Sequence, residues 1–264
     1  MSENLEEFIQ SVARGAGDIL RSNFGSVRTW RTKSDRGDIV TQVDLDSESY
    51  VLSRIKKEFP SHNIVSEESG RINVSSDDCT WFIDPLDGTL NYAMGIPMFC
   101  ISIGLSCNGE LQHGVVYDPI HDELFHAAKG RGAFLNGARI TVSNESELSD
   151  AIISISWGRR RANSRKYLRY TRKMSEHSSY YRRLGSAALM LSYVASGRID
   201  AYLQGGVNSW DIAAGMLLVT EAGGVVTDLD NQPLDLTKSR IEMLAANPQI
   251  HEAMLQHIIW EQKI

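Results

Sequence analysis

The chain has 264 residues, enough for one large α/β domain or two small ones packed together. With 42% apolar and 23% charged residues it can bury a core, which excludes a disordered chain, and six prolines and 21 glycines exclude a collagen-like or linker-like one. A net charge of −6 excludes a globally basic nucleic-acid-binding surface.

The first ten residues carry acids where a signal peptide carries a basic segment and an apolar core, so no export signal is expected. No apolar run approaches the ~20 residues of a membrane span. Leu5, Phe8, Ile9, Val12, Ala13, Ala16, Ile19 and Leu20 recur at steps of three and four and predict a helix ending near Asn23. A polar stretch from Lys33 to Asp44 follows, with a turn expected around Asp35, Gly37 and Asp38. A second helix, with Asp44 or Asp46 as N-cap, is expected to run through Val51, Leu52 and Ile55 and to end before Pro60. Short strands are expected over residues 63–65 and 81–83, and strands over 99–106 and 111–117 flank the hairpin signal Asn108-Gly109. Residues 123–128 add a further strand candidate. Strands and helices then alternate: strands over 152–156, 199–203 and 243–246, helices over 164–177, 186–195 and 211–222, and a last helix opened by Pro248. The alternation predicts α/β layers with helices on sheet faces, in an N-terminal subdomain over 1–145 and a C-terminal one over 146–264. Cys79, Cys100 and Cys107 are odd in number and form no C-x-x-C, so reduced cysteines in a cytoplasmic protein are expected.

The most informative segment is Trp81-Phe82-Ile83-Asp84-Pro85-Leu86-Asp87-Gly88-Thr89-Leu90-Asn91. A short strand ends, and two carboxylates follow around a proline-stiffened turn. Asp84, Asp87 and the Leu86 carbonyl can supply the oxygen ligands that Mg²⁺ prefers, and backbone N–H groups at Gly88 and Thr89 can face a phosphate. The bland alternative is a surface turn. Glu67-Glu68 follows another short strand, where one of the pair points at the site, here expected to be Glu67. Asp44 reads as a helix cap or a catalytic partner, and Asp211, after Trp210, as a cap or a metal ligand.

Taken together, these motifs resemble the inositol monophosphatase family of magnesium-dependent, lithium-sensitive phosphatases. The resemblance is carried by Lys33, residues 38–44, Glu67-Glu68, residues 81–91, Gly185-Ser186-Ala187-Ala188, and Trp210 to Gly215 with Glu221-Ala222-Gly223-Gly224. It implies the family's layered αβαβα sandwich and two or three Mg²⁺ ions per subunit. Glu67, Asp84 and the Leu86 carbonyl would hold one ion, and Asp84, Asp87 and Asp211 a second. Thr89 and Asp44 would orient the attacking water, and Glu67 would help take its proton. Asp87, Gly88, Thr89, Gly185, Ser186, Ala187, Gln204 and Asp211 would contact substrate. The implied reaction is hydrolysis of a small phosphate monoester, inositol 1-phosphate first, by a homodimeric cytoplasmic enzyme without a covalent phosphoenzyme or an organic cofactor. Fructose 1,6-bisphosphatase or dual-specificity sugar phosphatase activity is the alternative, ahead of 3′-phosphoadenosine and histidinol phosphatases. Inositol phosphatases of the family usually carry glutamate where this chain has Gln204, and the amide loses charge-assisted bonding to a hydroxyl.

Residues 157–173 hold Arg159, Arg160, Arg161, Arg165, Lys166, Arg169, Arg172 and Lys173 without an acid. Such a run is a solvated helix face or, functionally, a grip on a second phosphate. Two rivals complete the picture. Aspartyl-phosphate phosphatases space their two aspartates two residues apart, whereas Asp84 and Asp87 are three apart. A non-catalytic protein would use the basic run to bind nucleic acid, against the acidic net charge.

Overall fold

The computed structural model describes residues 2–27, 29–33, 39–73, 78–158 and 161–262. The first half comprises α1 (Ser2–Asn23), β1 (Arg31–Thr32), β2 (Ile39–Val40), α2 (Gln42–Glu58), β3 (Asn63–Ser66), β4 (Gly70–Ile72), β5 (Cys79–Asp87), α3 (Thr89–Ala93), β6 (Cys100–Cys107), β7 (Glu110–Asp118), β8 (Glu123–Ala128), β9 (Gly132–Leu135) and β10 (Ala138–Ile140). The second comprises β11 (Ile152–Trp157), α4 (Arg161–Met174), β12 (Tyr180–Arg182), α5 (Ala187–Ala195), β13 (Ala201–Val207), α6 (Ser209–Glu221), β14 (Val225–Thr227), β15 (Ile241–Ala246) and α7 (Pro248–Gln262).

Apolar stripes and sheet faces stack these elements into five layers. In α1 the three-and-four spacing buries Ile9, Val12, Ala13, Ala16 and Leu20, which with Val51, Leu52 and Ile55 of α2 cover one face of an eight-stranded sheet. Its order is β10-β9-β8-β7-β6-β5-β3-β4, antiparallel except for the β3–β5 pair. Helices α5 and α6, apolar nearly all round, fill the space between this sheet and a five-stranded one of order β12-β11-β13-β15-β14. Helices α4 and α7 cover the outer face of the second sheet through Tyr167, Tyr170, Ile250 and Met254. This is the expected αβαβα sandwich. Among the described residues no helix is long and apolar enough to cross a membrane.

Three local expectations are corrected. Helix α2 is capped by Thr41 rather than by Asp44 or Asp46, because the Thr41 hydroxyl accepts from the Val43 and Asp44 N–H groups. Asp84 and Asp87 do not follow a strand at a turn but lie inside β5. Asp84 pairs with Ser102 and Asp87 with Cys100, so three steps on β5 answer two on β6, and one extra residue bulges. Residues three apart on a regular strand face opposite sides, and the bulge restores a common face. Cys79 and Cys107 are not reduced but form a disulfide, since the β5–β6 register sets them directly opposite, their Cα atoms 4.0 Å apart. Cys100 is a buried free thiol. The Asn108-Gly109 hairpin is formed as expected, with positive φ at both residues. The expected turn at Asp35, Gly37 and Asp38 and the side chains of Arg159, Arg160 and Arg161 lie outside the described residues.

Candidate active site

A cavity of about 680 Å³ opens where β5, α3, β11, β13 and the start of α6 meet. Glu67, Asp84, Leu86, Asp87, Gly88, Thr89, Gly185, Ser186, Ala187, Gln204 and Asp211 all line it. Asp44 lies just behind, fully buried.

Each acid is held by local structure. Asp84 is 2% exposed, and its Oδ1 accepts the Leu86 N–H at 3.0 Å across the bulge. Asp87 Oδ2 accepts from the Ser186 hydroxyl at 2.7 Å and the Ala188 N–H at 2.6 Å, which ties β5 to the start of α5. Asp211 stands at the third position of α6, where its Oδ2 accepts the Asn208 N–H at 2.7 Å. Asp44 repeats that arrangement in α2, accepting the Thr41 N–H at 2.9 Å, and its other oxygen lies 3.1 Å from the Thr89 hydroxyl. The same hydroxyl lies 3.1 Å from the Leu86 carbonyl oxygen. The Lys33 ammonium bridges Glu67, at 2.9 Å, and Glu68. Gly88 precedes α3 with φ 97°, and a Cβ there would meet the Met98 carbonyl oxygen at 2.8 Å, so only glycine fits.

Burial raises the carboxyl pKa values of Asp44, Glu68, Asp84 and Asp87. Asp84 is pushed well up by desolvation and then by the charges of Glu67, Asp87 and Asp211. Asp87 and Asp44 rise to about 6, chiefly by desolvation, and Glu68 to about 7 for the same reason. Burial pulls the Lys33 ammonium down, but Glu67 and Glu68 outweigh it and leave the pKa raised. Among the described residues no three acids, histidines or cysteines already enclose one point as a finished cage. The fit to a cation is one of chemistry. The donors are all oxygen, and a carboxylate buried beside three others is costly until a hard cation balances it.

Several functional side chains were not legible beforehand. Buried Glu48 accepts from the Glu68 and Ser69 N–H groups at 3.2 and 3.0 Å and so fixes the turn that presents Glu67; an acid mid-helix reads as solvated. Asn91 donates to the Met98 and Leu184 carbonyls at 2.8 and 2.7 Å, pinning α3 to the segment that carries Gly185. Tyr202 also lines the cavity, and its place two residues before Gln204 on β13 was the available signal. Gln204, expected to contact substrate, is engaged within the chain: its Oε1 accepts from the Tyr202 hydroxyl at 2.6 Å and its Nε2 donates to the Gly205 carbonyl at 3.2 Å.

Residues 1–263 match the profile of the inositol monophosphatase family. The chain is 38% identical over 248 residues to Nus factor SuhB of Pasteurella multocida, covering 93% of this chain and 92% of that one. It is 35% identical over 264 residues to inositol-1-monophosphatase of Bacillus subtilis, covering 98% of each. The solved inositol monophosphatase of Anabaena superposes with a TM-score of 0.86 at 38% identity, over 98% of this chain and 96% of that one.

Proposed function

Because this chain belongs to the inositol monophosphatase family, we propose that it is a Mg²⁺-dependent phosphatase of small phosphate monoesters. The observation that carries this reading is Asp84, buried among Glu67, Asp87 and Asp211 with oxygen donors alone around it. Glu67, Asp84, Asp87, Asp211 and the Leu86 carbonyl would hold two or three Mg²⁺ ions, which when bound neutralise phosphate charge and acidify a water. The Thr89 hydroxyl donates to Asp44 and keeps its lone pairs to accept a hydrogen bond from the attacking water. Glu67 takes that water's proton, and the Gly88 and Thr89 N–H groups hold the phosphoryl oxygens.

Inositol 1-phosphate is the first substrate candidate, supported by the name of the Bacillus subtilis relative, with fructose 1,6-bisphosphatase or dual-specificity sugar phosphatase activity as the alternative. Lithium sensitivity belongs to the same reading. The exposed side chains of Leu90, Met94 and Ile96 beside the site support a homodimer, which light scattering would weigh. A cytoplasmic location is also proposed. The Cys79–Cys107 disulfide weighs against it, and alkylation in fresh lysate, which marks these cysteines only when reduced, decides.

The central test is Asp84→Asn. It should keep the fold by circular dichroism and lose at least ~100-fold in phosphate release, the scale of removing one strong electrostatic contributor. Wild-type turnover by this variant at saturating Mg²⁺ would sink the reading. A second reading, binding of nucleic acid, is supported by the relatives named Nus factor and by exposed Arg165, Arg169 and Arg172 on α4. A salt-sensitive RNA gel shift at sub-micromolar protein would promote it.

A further inference from the structure

Helix α2 changes character along one face. Val51 and Ile55 are apolar and join the core under the first sheet, whereas Asp44, Ser47 and Glu48, at helical steps of three and four before them, are polar and equally buried. This polar part of the face reaches the place where the β3–β5 ladder stops. The pairing ends at Ser66 and Ile83, with the Glu67 N–H donating to the Ile83 carbonyl at 3.2 Å. Beyond that point the chain after β3 turns back into β4 through residues 67–69, and β5 enters its bulge. The ladder therefore no longer sets Glu67 against Asp84.

Helix α2 holds both segments. Glu48 fills the inside of the 67–69 loop: its Oε1 accepts from the Ser66 hydroxyl and from the Glu68 and Ser69 N–H groups, and its Oε2 accepts the Ser69 hydroxyl at 2.6 Å. Ser47, the preceding residue, donates to the Pro85 carbonyl at 2.9 Å. That carbonyl shares one planar peptide unit with the Leu86 N–H, which donates to Asp84 Oδ1 at 3.0 Å. The unit is thus held by α2 at one end and holds Asp84 at the other. We propose that Ser47 and Glu48 are positioning residues, adjacent on one helix, that fix the spacing between Glu67 and the Asp84–Leu86 bulge and so preorganise these oxygen donors for a divalent cation. The proposal rests on the phosphatase reading for the identity of that cation, but its test reads binding without turnover.

Calorimetric titration of Mg²⁺ into the metal-free protein, without substrate, compares wild type with Ser47→Ala, Glu48→Leu and Glu48→Gln, each checked for folding by its melting temperature in chelator. Glu48→Leu removes every acceptor from the loop and should weaken Mg²⁺ binding at least about tenfold, the scale of losing a group that orients a metal ligand. Ser47→Ala removes one hydrogen bond and should weaken binding about threefold or more. Glu48→Gln keeps an oxygen for both N–H groups and should stay within about threefold of wild type. A role in packing alone would lower the melting temperatures and leave the Mg²⁺ affinity of the folded variants unchanged, and that result overturns the proposal. Should Glu48→Leu not fold, Ser47→Ala decides: binding as tight as wild type overturns the proposal, and weakened binding upholds it. A wild-type protein that binds no Mg²⁺ overturns the phosphatase reading and this proposal with it, whereas equal binding by wild type and variants overturns this proposal alone.

Discussion

Asp44 and Asp211 occupy equivalent positions in two different helices. Each is the third residue of its helix and accepts the N–H of the residue that caps it, Thr41 for α2 and Asn208 for α6. Asp44 reads from the sequence as a cap or a catalytic partner and Asp211 as a cap or a metal ligand; in both, one carboxylate oxygen serves the helix, and in Asp44 the other meets the Thr89 hydroxyl. The pattern S/T/D/N followed three residues later by an acid was visible in Thr41…Asp44 and Asn208…Asp211, but Asp44 itself looked like the cap. This dual use separates two variants of Asp211. Asp211→Asn keeps an oxygen for the Asn208 N–H and should melt within ~0.5 kcal/mol of wild type while losing phosphate release. Asp211→Ala should lose release as well and a further ~1 kcal/mol of stability, because the Asn208 N–H loses its acceptor. Chemical denaturation of both variants checks this.

Elements were legible where their signal is local. The stripe of α1, the Asn108-Gly109 hairpin and the proline-opened α7 needed only neighbours in the chain, and they stand within a few residues of expectation. What failed depends on pairing between distant segments. The bulge in β5 is defined by its register against β6, and the Cys79–Cys107 disulfide by the same register 28 residues apart, so no spacing rule exposes either. The bond closes that loop and should contribute about 3–4 kcal/mol by restricting the unfolded chain. Thermal melts should therefore show a lower midpoint in reductant, and the Cys79→Ser/Cys107→Ser double variant should show none of that sensitivity. Equal melting with and without reductant in the wild type would mean that the bond contributes nothing.

At the scale of the molecule, the acid cluster links stability to pH in a direction opposite to the usual one. Asp44 and Asp87 titrate at about 6 and Glu68 at about 7 in the folded chain, above their ordinary values. Folded-state pKa values raised this way contribute stability that is complete below about pH 4 and is lost as pH rises through 6 to 7. Half-buried His113 and buried His251, with lowered pKa values, oppose this below about pH 6.5. The clean readout is a difference: in chelator, the gain in melting temperature from pH 8 to pH 5 should be larger for wild type than for Asp87→Asn. Saturating Mg²⁺, which favours the ionised forms, should shrink or reverse the wild-type gain.

Helix α6 lies so close to the first sheet that a Cβ on Gly114 would meet the Ala214 carbonyl oxygen at 2.7 Å. Backbone rests on backbone there, with no side chain between to repack. The floor that sets Asp211 against β5 is thus an unadjustable datum, and relatives sharing it can diverge in what they accept only by changing the surrounding rim, as a lathe keeps its bed and swaps its tools.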